Sequence, residues 1–553
     1  MARQPNHPRS RRQPWHKNRR RGSIQPTNPT VQAKAGPPPG VLEARSLWQR
    51  GMVAQALDRF EQAAADATPQ DRPAVLVEAS GVLAKRFETE RAERLLDTLA
   101  GLPDPTGGRP GQHLILAGLG LITCYRPDKA MDCLSQALDA QPGNVAAAIE
   151  LASLLERRGE LDQAQAVLDR LNQPAMPAVK SVLGRIERRR GNPDRALELL
   201  NAVAKHKAAD PNGLLTRARA GYELARLYDQ QGDYDAAWTA LVAAKRSQQS
   251  LVKPGLPAAA RHRLLPHRAL IDQVTPADFQ RWQADAPSPG ESSPRAALLT
   301  GLPRSGTTLL ERILDAHPDI LGADERHVLA RVALPGLFDS REPPADPVAA
   351  FDAVPADRIA TQRARYFDLM AQSLGEPLDG RLLLDKNPSM LRLLPGVARL
   401  LPDTPVIVAL RDPRDVLVSM LLTWMPMNDV SVQMLNPDDA AAFAQQELEA
   451  WLVLRDKMPG WTELRYEALV GDLPGVAKRI VESLGLAWDD SVLSYADRTA
   501  AQGARQVDSP TYEDVSKPVY TSAIGRWRHY ESHLGKAFEQ LDHVTAELGY
   551  TTT

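Results

Sequence analysis

The sequence predicts a multidomain chain in which an all-α solenoid of stacked helix pairs precedes an α/β domain with a central parallel sheet and a P-loop-like anion cradle. Three observations predict it. A pattern of glycine, alanine and large apolar residues recurs through residues 41–250, and its clearest pair, Ala130 and Ala164, lies 34 residues apart. Beyond residue 293, the short apolar runs "RAALLTGL", "RLLLDK" and "PVIVALRD" alternate with amphipathic segments. The first run opens into "PRSGTTLLERILDAH", a glycine-bearing loop at the start of a helix.

The 553 residues exceed one ordinary core, and 43% hydrophobic with 24% charged content is that of a globular chain. A net charge of -1 offers no general attraction to nucleic acid or to an anionic membrane. The only cysteines, Cys124 and Cys133, make neither a disulfide framework nor a metal-ligand pattern. The apolar run "HLILAGLGLITC" is too short to span a bilayer, and no apolar segment follows the Arg-rich start as a secretory signal would require. These features predict a cytoplasmic protein with no membrane span and no specific nucleic-acid partner.

Residues 1–40 hold many cations and prolines and almost no apolar side chains, so they cannot offset the entropy of ordering and are expected to form a disordered basic tail. Within 41–250, Gly51, Ala56, Phe60 and Ala63 set a pattern that continues at Ala130, Leu134, Ala137 and Pro142. It returns at Gly159, Ala164 and Leu168, at Gly191, Ala196 and Leu200, and at Gly232, Ala237 and Leu241. Small residues let paired helices approach closely, and the large ones bury the next pair; this is the pattern of tetratricopeptide repeats. Residues 70–110 and an insert near 170–185 fit it poorly. Such a solenoid presents a groove, which implies a protein or peptide partner of unspecified identity. Residues 251–292, rich in proline and polar residues, read as a linker with one or two helices, and 293–553 as the α/β domain.

In the loop, Gly301 and Gly306 are spaced as in phosphate-binding loops, but Thr307 stands where an NTPase carries its lysine, and Arg304 lies inside the loop. An NTPase or kinase also needs magnesium, for which Asp385 at the end of "LLLD" is a candidate ligand. A nucleotide ending in one sulfuryl group demands less charge compensation and no metal.

These residues resemble the sulfotransferases that use 3′-phosphoadenosine 5′-phosphosulfate (PAPS), above all the tyrosylprotein sulfotransferases and the bacterial sulfotransferases fused to tetratricopeptide repeats. "PRSGTTLLERILDAHPDI" is similar to that family's 5′-phosphosulfate loop, and "VIVALRDPRDVLVSM" to its 3′-phosphate motif. The resemblance implies that Arg304, Ser305, Gly306, Thr307 and Thr308 cradle the phosphosulfate and that Arg411 and Ser419 hold the 3′-phosphate. It assigns Tyr466 in "LRYEALV" and Lys517 in "DVSKPVYTSAIGRW" to the nucleotide as well. "GADERHV" is similar to the family's acidic segment, which implies Glu325 as the base that takes the acceptor's hydroxyl proton, with Asp324 as the neighbouring alternative. Lys386 in "LLLDKNPS" resembles the lysine that stabilises the leaving phosphate. Arg304, Lys386, Arg411 and Lys517 would then face the roughly four negative charges of PAPS.

The implied activity is transfer of a sulfuryl group to a hydroxyl acceptor: protein tyrosine, glycan, lipid or small alcohol. The chain departs from the tyrosylprotein enzymes at Thr423 and His327, where they carry arginines. Two other readings stand beside this one: a degenerate P-loop NTPase or kinase, and a repeat scaffold with an inactive nucleotide-binding domain.

Overall fold

The computed structural model describes residues 36–104, 110–256, 267–285, 294–338, 344–496 and 521–551. Its first part is built of α1 (Pro39–Gln49), α2 (Val53–Asp66), α3 (Arg72–Ala84), α4 (Thr89–Ala100), α5 (Gln112–Thr123) and α6 (Pro127–Ala140). It continues with α7 (Val145–Arg158), α8 (Leu161–Asp169), α9 (Pro177–Arg189), α10 (Pro193–Ala204), α11 (Pro211–Gln230) and α12 (Tyr234–Gln249). Odd and even helices pair in order, and each pair packs on the next.

The alanines picked out by the sequence pattern sit at the closest helix contacts: Ala56, Ala130, Ala164, Ala196 and Ala237 are all 0% exposed. Between α9 and α10 the approach is tighter still, since a Cβ on Gly184 would fall 2.6 Å from Leu200 Cγ. The poorly fitting stretch 70–110 proves to hold a regular pair, α3 with α4, with Leu83 and Ala92 buried between them. The insert ends where Pro177 starts α9. Most of the basic tail lies outside the described residues; α1 starts at Pro39, a favourable first helical position.

The second part centres on five parallel strands, β1 (Arg295–Gly301), β2 (Ile320–Gly322), β3 (Leu382–Lys386), β4 (Val406–Leu410) and β5 (Trp461–Arg465), in the order β2-β3-β1-β4-β5. Both faces are buried, as an all-parallel sheet requires. Leu298, Leu383 and Val408 join one core; Leu299, Leu384 and Ile407 join the other, under α14 (Thr307–Asp315). The first core does not stop at the sheet. It runs through Ile271, Val274, Phe279 and Trp282 to Tyr222, Leu241 and Ala244 of α11 and α12. Residues 267–285, expected to lie in a linker, are therefore a packed layer, with α13 (Pro276–Ala284) started by a Thr275–Asp278 capping box.

Polar ties also join the repeats directly to the second part. Arg126 donates to the carbonyl of Gln372 at 2.7 Å, Gln248 to that of Met425 at 2.9 Å, and Arg526 and Tyr530 both reach Asp229. Among the described residues no helix is long and apolar enough to cross a membrane.

Because Leu200 is fully buried against Gly184, Gly184→Val is expected to lower the stability of the repeat region by about 2 kcal/mol through overpacking. Urea unfolding followed by circular dichroism checks this, and adding Leu200→Ala should recover part of the loss.

Candidate active site

The carboxyl ends of β1, β3 and β4 converge on one edge of the sheet, where ligands of such folds sit. β1 ends at Gly301, with φ +146° and a Cβ position only 2.3 Å from the Ala409 carbonyl oxygen, so no side chain fits. The loop that follows turns through Arg304 at φ 75° and Gly306 at φ 97° and delivers Thr307 to the first turn of α14. First-turn N–H groups lack intrahelical partners and carry the positive end of the helix dipole. Ser305, 2% exposed, spends its hydroxyl on the Leu302 carbonyl at 2.8 Å, which braces the loop.

On one side of this loop Arg304 Nε donates to Ser419 Oγ at 3.1 Å, and Arg411 Nη1 donates to the Arg304 carbonyl at 3.2 Å. Arg411 also lies 4.8 Å from the Tyr466 ring centre, and that ring packs against Gly306. Four residues distant in sequence, Arg304, Arg411, Ser419 and Tyr466, thus form one cluster. Ser419 sits on α15 (Pro413–Leu422).

The two arginines of "RDPRD" divide their work. Arg414 pairs with Asp412 at 2.8 Å, donates to the Thr551 carbonyl and covers Trp527, so it is consumed by structure. Arg411 is 3.9 Å from Asp415, and its buried Nε has no hydrogen-bond partner among the described residues. Asp415 instead accepts the backbone N–H groups of Gly525 and Trp527.

On the other side of the loop lies Lys386, 0% exposed, at the end of β3. Its Nζ is 2.8 Å from Asp324, 3.0 Å from Glu325 and 3.6 Å from Glu311, and 3.5 Å from Thr308 Oγ1. Burial opposes its charge, but Asp324, Glu325 and Glu311 together raise its pKa. Burial also works against the Asp324 carboxylate, and Lys386 and then Arg326 outweigh it and hold that pKa below the usual range. Asp324 is enclosed, whereas the Glu325 side chain keeps 26% of its surface accessible.

Lys517 lies outside the described residues. Residues 521–530, which follow it, return to Arg411 and Asp415 through the Ala523 carbonyl and the Gly525 and Trp527 amides.

Residues 297–490 match the model of the sulfotransferase family, and residues 125–186 that of a tetratricopeptide repeat. The parallel-sheet domain is thus similar to sulfotransferases over most of its length. Protein-tyrosine sulfotransferase 2 of Gallus gallus is 26% identical over 45% of this chain and 68% of its own length. Nodulation protein NoeE of Sinorhizobium fredii is 30% identical over 35% of this chain and 50% of its own length. An uncharacterized protein of Aquifex aeolicus is 27% identical over 78% of this chain, which spans 54% of that relative.

Two further buried carboxylates, Glu311 and Asp385, flank this site. Glu311 is absent from both motifs' expected residues, but an acid one turn after Thr307 on the buried stripe of α14 signals a buried partner. It accepts the Asp324 amide at 2.6 Å, and burial pushes it up to about 7 against the pull of Lys386. Asp385 does not reach the loop as a magnesium ligand would. Alternation along β3 sends it to the opposite face from Lys386, where it accepts from Tyr366 Oη at 2.9 Å and from Asn387. His327, in place of an arginine, is half-buried, and its pKa is lowered to about 4 by desolvation and by Arg331.

Burial also pushes Asp385 up to about 7. A carboxyl raised in the folded state contributes stability that is full below its unfolded pKa and lost as pH rises through its folded one. Asp385→Asn keeps an acceptor for Tyr366, so it should gain on the wild type from pH 5 to pH 8, by at most about 1.4 kcal/mol per pH unit. Urea midpoints across that range test it; parallel profiles for the two proteins would mean Asp385 does not carry the shift.

Proposed function

We propose that this protein transfers a sulfuryl group from PAPS to a hydroxyl-bearing acceptor. The observation that carries the reading is the placement, on either side of one glycine loop, of an arginine-serine cluster and a buried lysine beside an accessible carboxylate. A nucleotide with a 3′-phosphate and a 5′-phosphosulfate fits these residues. Arg411 offers a buried Nε without a hydrogen-bond partner among the described residues, and Ser419 a hydroxyl, for the 3′-phosphate, and the Arg304–Thr308 loop offers N–H groups and hydroxyls for the phosphosulfate.

The donor supplies the sulfuryl group. Glu325, the accessible member of the acidic pair, takes the proton of the acceptor hydroxyl as its oxygen forms the bond to sulfur. Lys386 and Arg304 hold the negative charge left on the departing phosphate oxygen. Lys386 enters the reaction charged because its carboxylate neighbours keep it so. Lys517 adds a further nucleotide contact on this reading, and the repeat groove takes a protein or peptide partner.

Calorimetric titration with adenosine 3′,5′-bisphosphate should show binding that survives EDTA and that Arg411→Ala weakens roughly ten- to a hundredfold, the worth of charge-assisted hydrogen bonds. Binding of ATP alone, and only with magnesium, would overturn the reading. For the base, Glu325→Gln should leave bisphosphate affinity unchanged while slowing 4-nitrophenol release from 4-nitrophenyl sulfate and the bisphosphate by about 10²–10⁴-fold. An undiminished rate would remove Glu325 from the chemistry.

A further inference from the structure

Six turns join the paired helices of the repeat region. At four of them the chain leaves the first helix through a glycine in the left-handed conformation: Gly51, Gly159, Gly191 and Gly232, with φ of 82°, 86°, 80° and 79°. Glycine is the usual residue there because a Cβ strains that backbone. At the other two turns the same position is aromatic: Phe87 with φ 61° and Tyr125 with φ 59°. The turns are otherwise alike, since the N–H of the next residue returns to the helix in each case: Glu88 to Leu83, Arg126 to Leu121, Glu160 to Leu155, Asn192 to Glu187. Bulky residues held at positive φ point to a role outside the turn.

Their surroundings identify that role. The Phe87 and Tyr125 rings stack with 6.3 Å between centroids and 7° between planes. The Arg326 guanidinium lies over the Tyr125 ring, 3.6 Å from its centre. Arg326 follows Glu325 directly and is 8% exposed. Flanking residues of the same two turns grip the same part of the sulfotransferase domain. Arg86 donates to the Arg331 carbonyl, Glu88 takes Arg365 at 2.9 Å, and Arg126 donates to the Gln372 and Ser373 carbonyls. Opposite Tyr125, Asn387 donates to the Arg326 carbonyl at 2.9 Å, and Asp324 has φ 50°. The segment carrying Glu325 is therefore held from within by β3 and its following residues and from without by the repeats.

We infer that Tyr125 is a positioning residue of the active site: its ring fixes Arg326 and thereby aims Glu325, making the repeat region part of the catalytic apparatus. The inference rests on the reading of Glu325 as the base. An enzyme whose base is aimed from the solenoid couples the state of its repeats to turnover without moving the nucleotide cluster, since Arg304, Arg411, Ser419 and Tyr466 make their mutual contacts inside the sulfotransferase domain.

The deciding variant is Tyr125→Gly, which gives this turn the residue of its four counterparts and so relieves the strained φ while deleting the ring. Hydrogen exchange by mass spectrometry is expected to show amides 324–328 exchanging about tenfold faster in Tyr125→Gly, with the loop 302–308 unaffected. Tyr125→Phe should restore the protection. Release of 4-nitrophenol from 4-nitrophenyl sulfate should fall in the rate at saturation, with bisphosphate affinity held. Wild-type exchange at 324–328 in Tyr125→Gly would overturn the inference, as would a loss of protection spread evenly over the chain. Failure of the wild type to bind the bisphosphate would instead sink the donor reading, so the two failures are separable.

Discussion

A buried ammonium group sets the layout of this site. Lys386 has no exposed surface, and a cation so placed is tolerable only where carboxylates replace its hydration. Those carboxylates come from different elements: Glu311 from the helix after the glycine loop, Asp324 and Glu325 from the segment after β2. Satisfying Lys386 therefore fixes α14, the acidic segment and β3 relative to one another. Three carboxylates surround this one cation, and Glu311, the most enclosed of them, is pushed up chiefly by its burial, with the Asp324 charge adding to it against the pull of Lys386. The group that must accept a proton in the proposed reaction is the one with access to solvent.

Backbone strain gathers where this constraint is applied. Arg304, Asp324 and Ser389 all hold positive φ at the carboxyl edge of the sheet, and Phe87 and Tyr125 hold it where the repeats touch that edge. Such conformations persist only when the surroundings over-determine them. Here the surroundings are a parallel sheet buried on both faces and a core that runs from it into α11 and α12. Residues 267–285, lodged in that core, make the repeats and the sulfotransferase domain one packed body, not two beads on a string.

The parts legible in the sequence were those where backbone geometry restricts residue type. The repeats announced themselves through glycines in left-handed turns and alanines at helix contacts, and the anion loop through Gly301 and Gly306, which no larger residue can replace. The pair α3 and α4 was obscured because Phe87 stands where the pattern wants glycine. Residues 267–285 were obscured because proline and polar residues outnumber Phe279 and Trp282, although these two sit three apart, on one face of a helix. The assembly of Arg304, Arg411, Ser419 and Tyr466 was reachable only through the resemblance of two motifs, since spacing in the chain does not reveal a cluster built from three strand ends. Asp385 shows what alternation alone can decide: one residue from Lys386 on a strand, it had to face the other way.

The same argument separates Asp324 from Glu325. Adjacent residues on a regular strand would point to opposite faces, yet both reach Lys386, and the positive φ at Asp324 is the bend that permits it. The shorter side chain is turned inward, within reach of Arg326 and Lys386, and serves as the fixed counter-ion. The longer one approaches the same ammonium from the accessible side and keeps a free flank for an acceptor. Exchanging the two would bury a longer acid in a space filled by Asp324 and leave a shorter one unable to span from the backbone to both Lys386 and a substrate oxygen. On the proposed reaction the order Asp-Glu in "GADERHV" therefore matters, one residue holding the cation and the other working beside it.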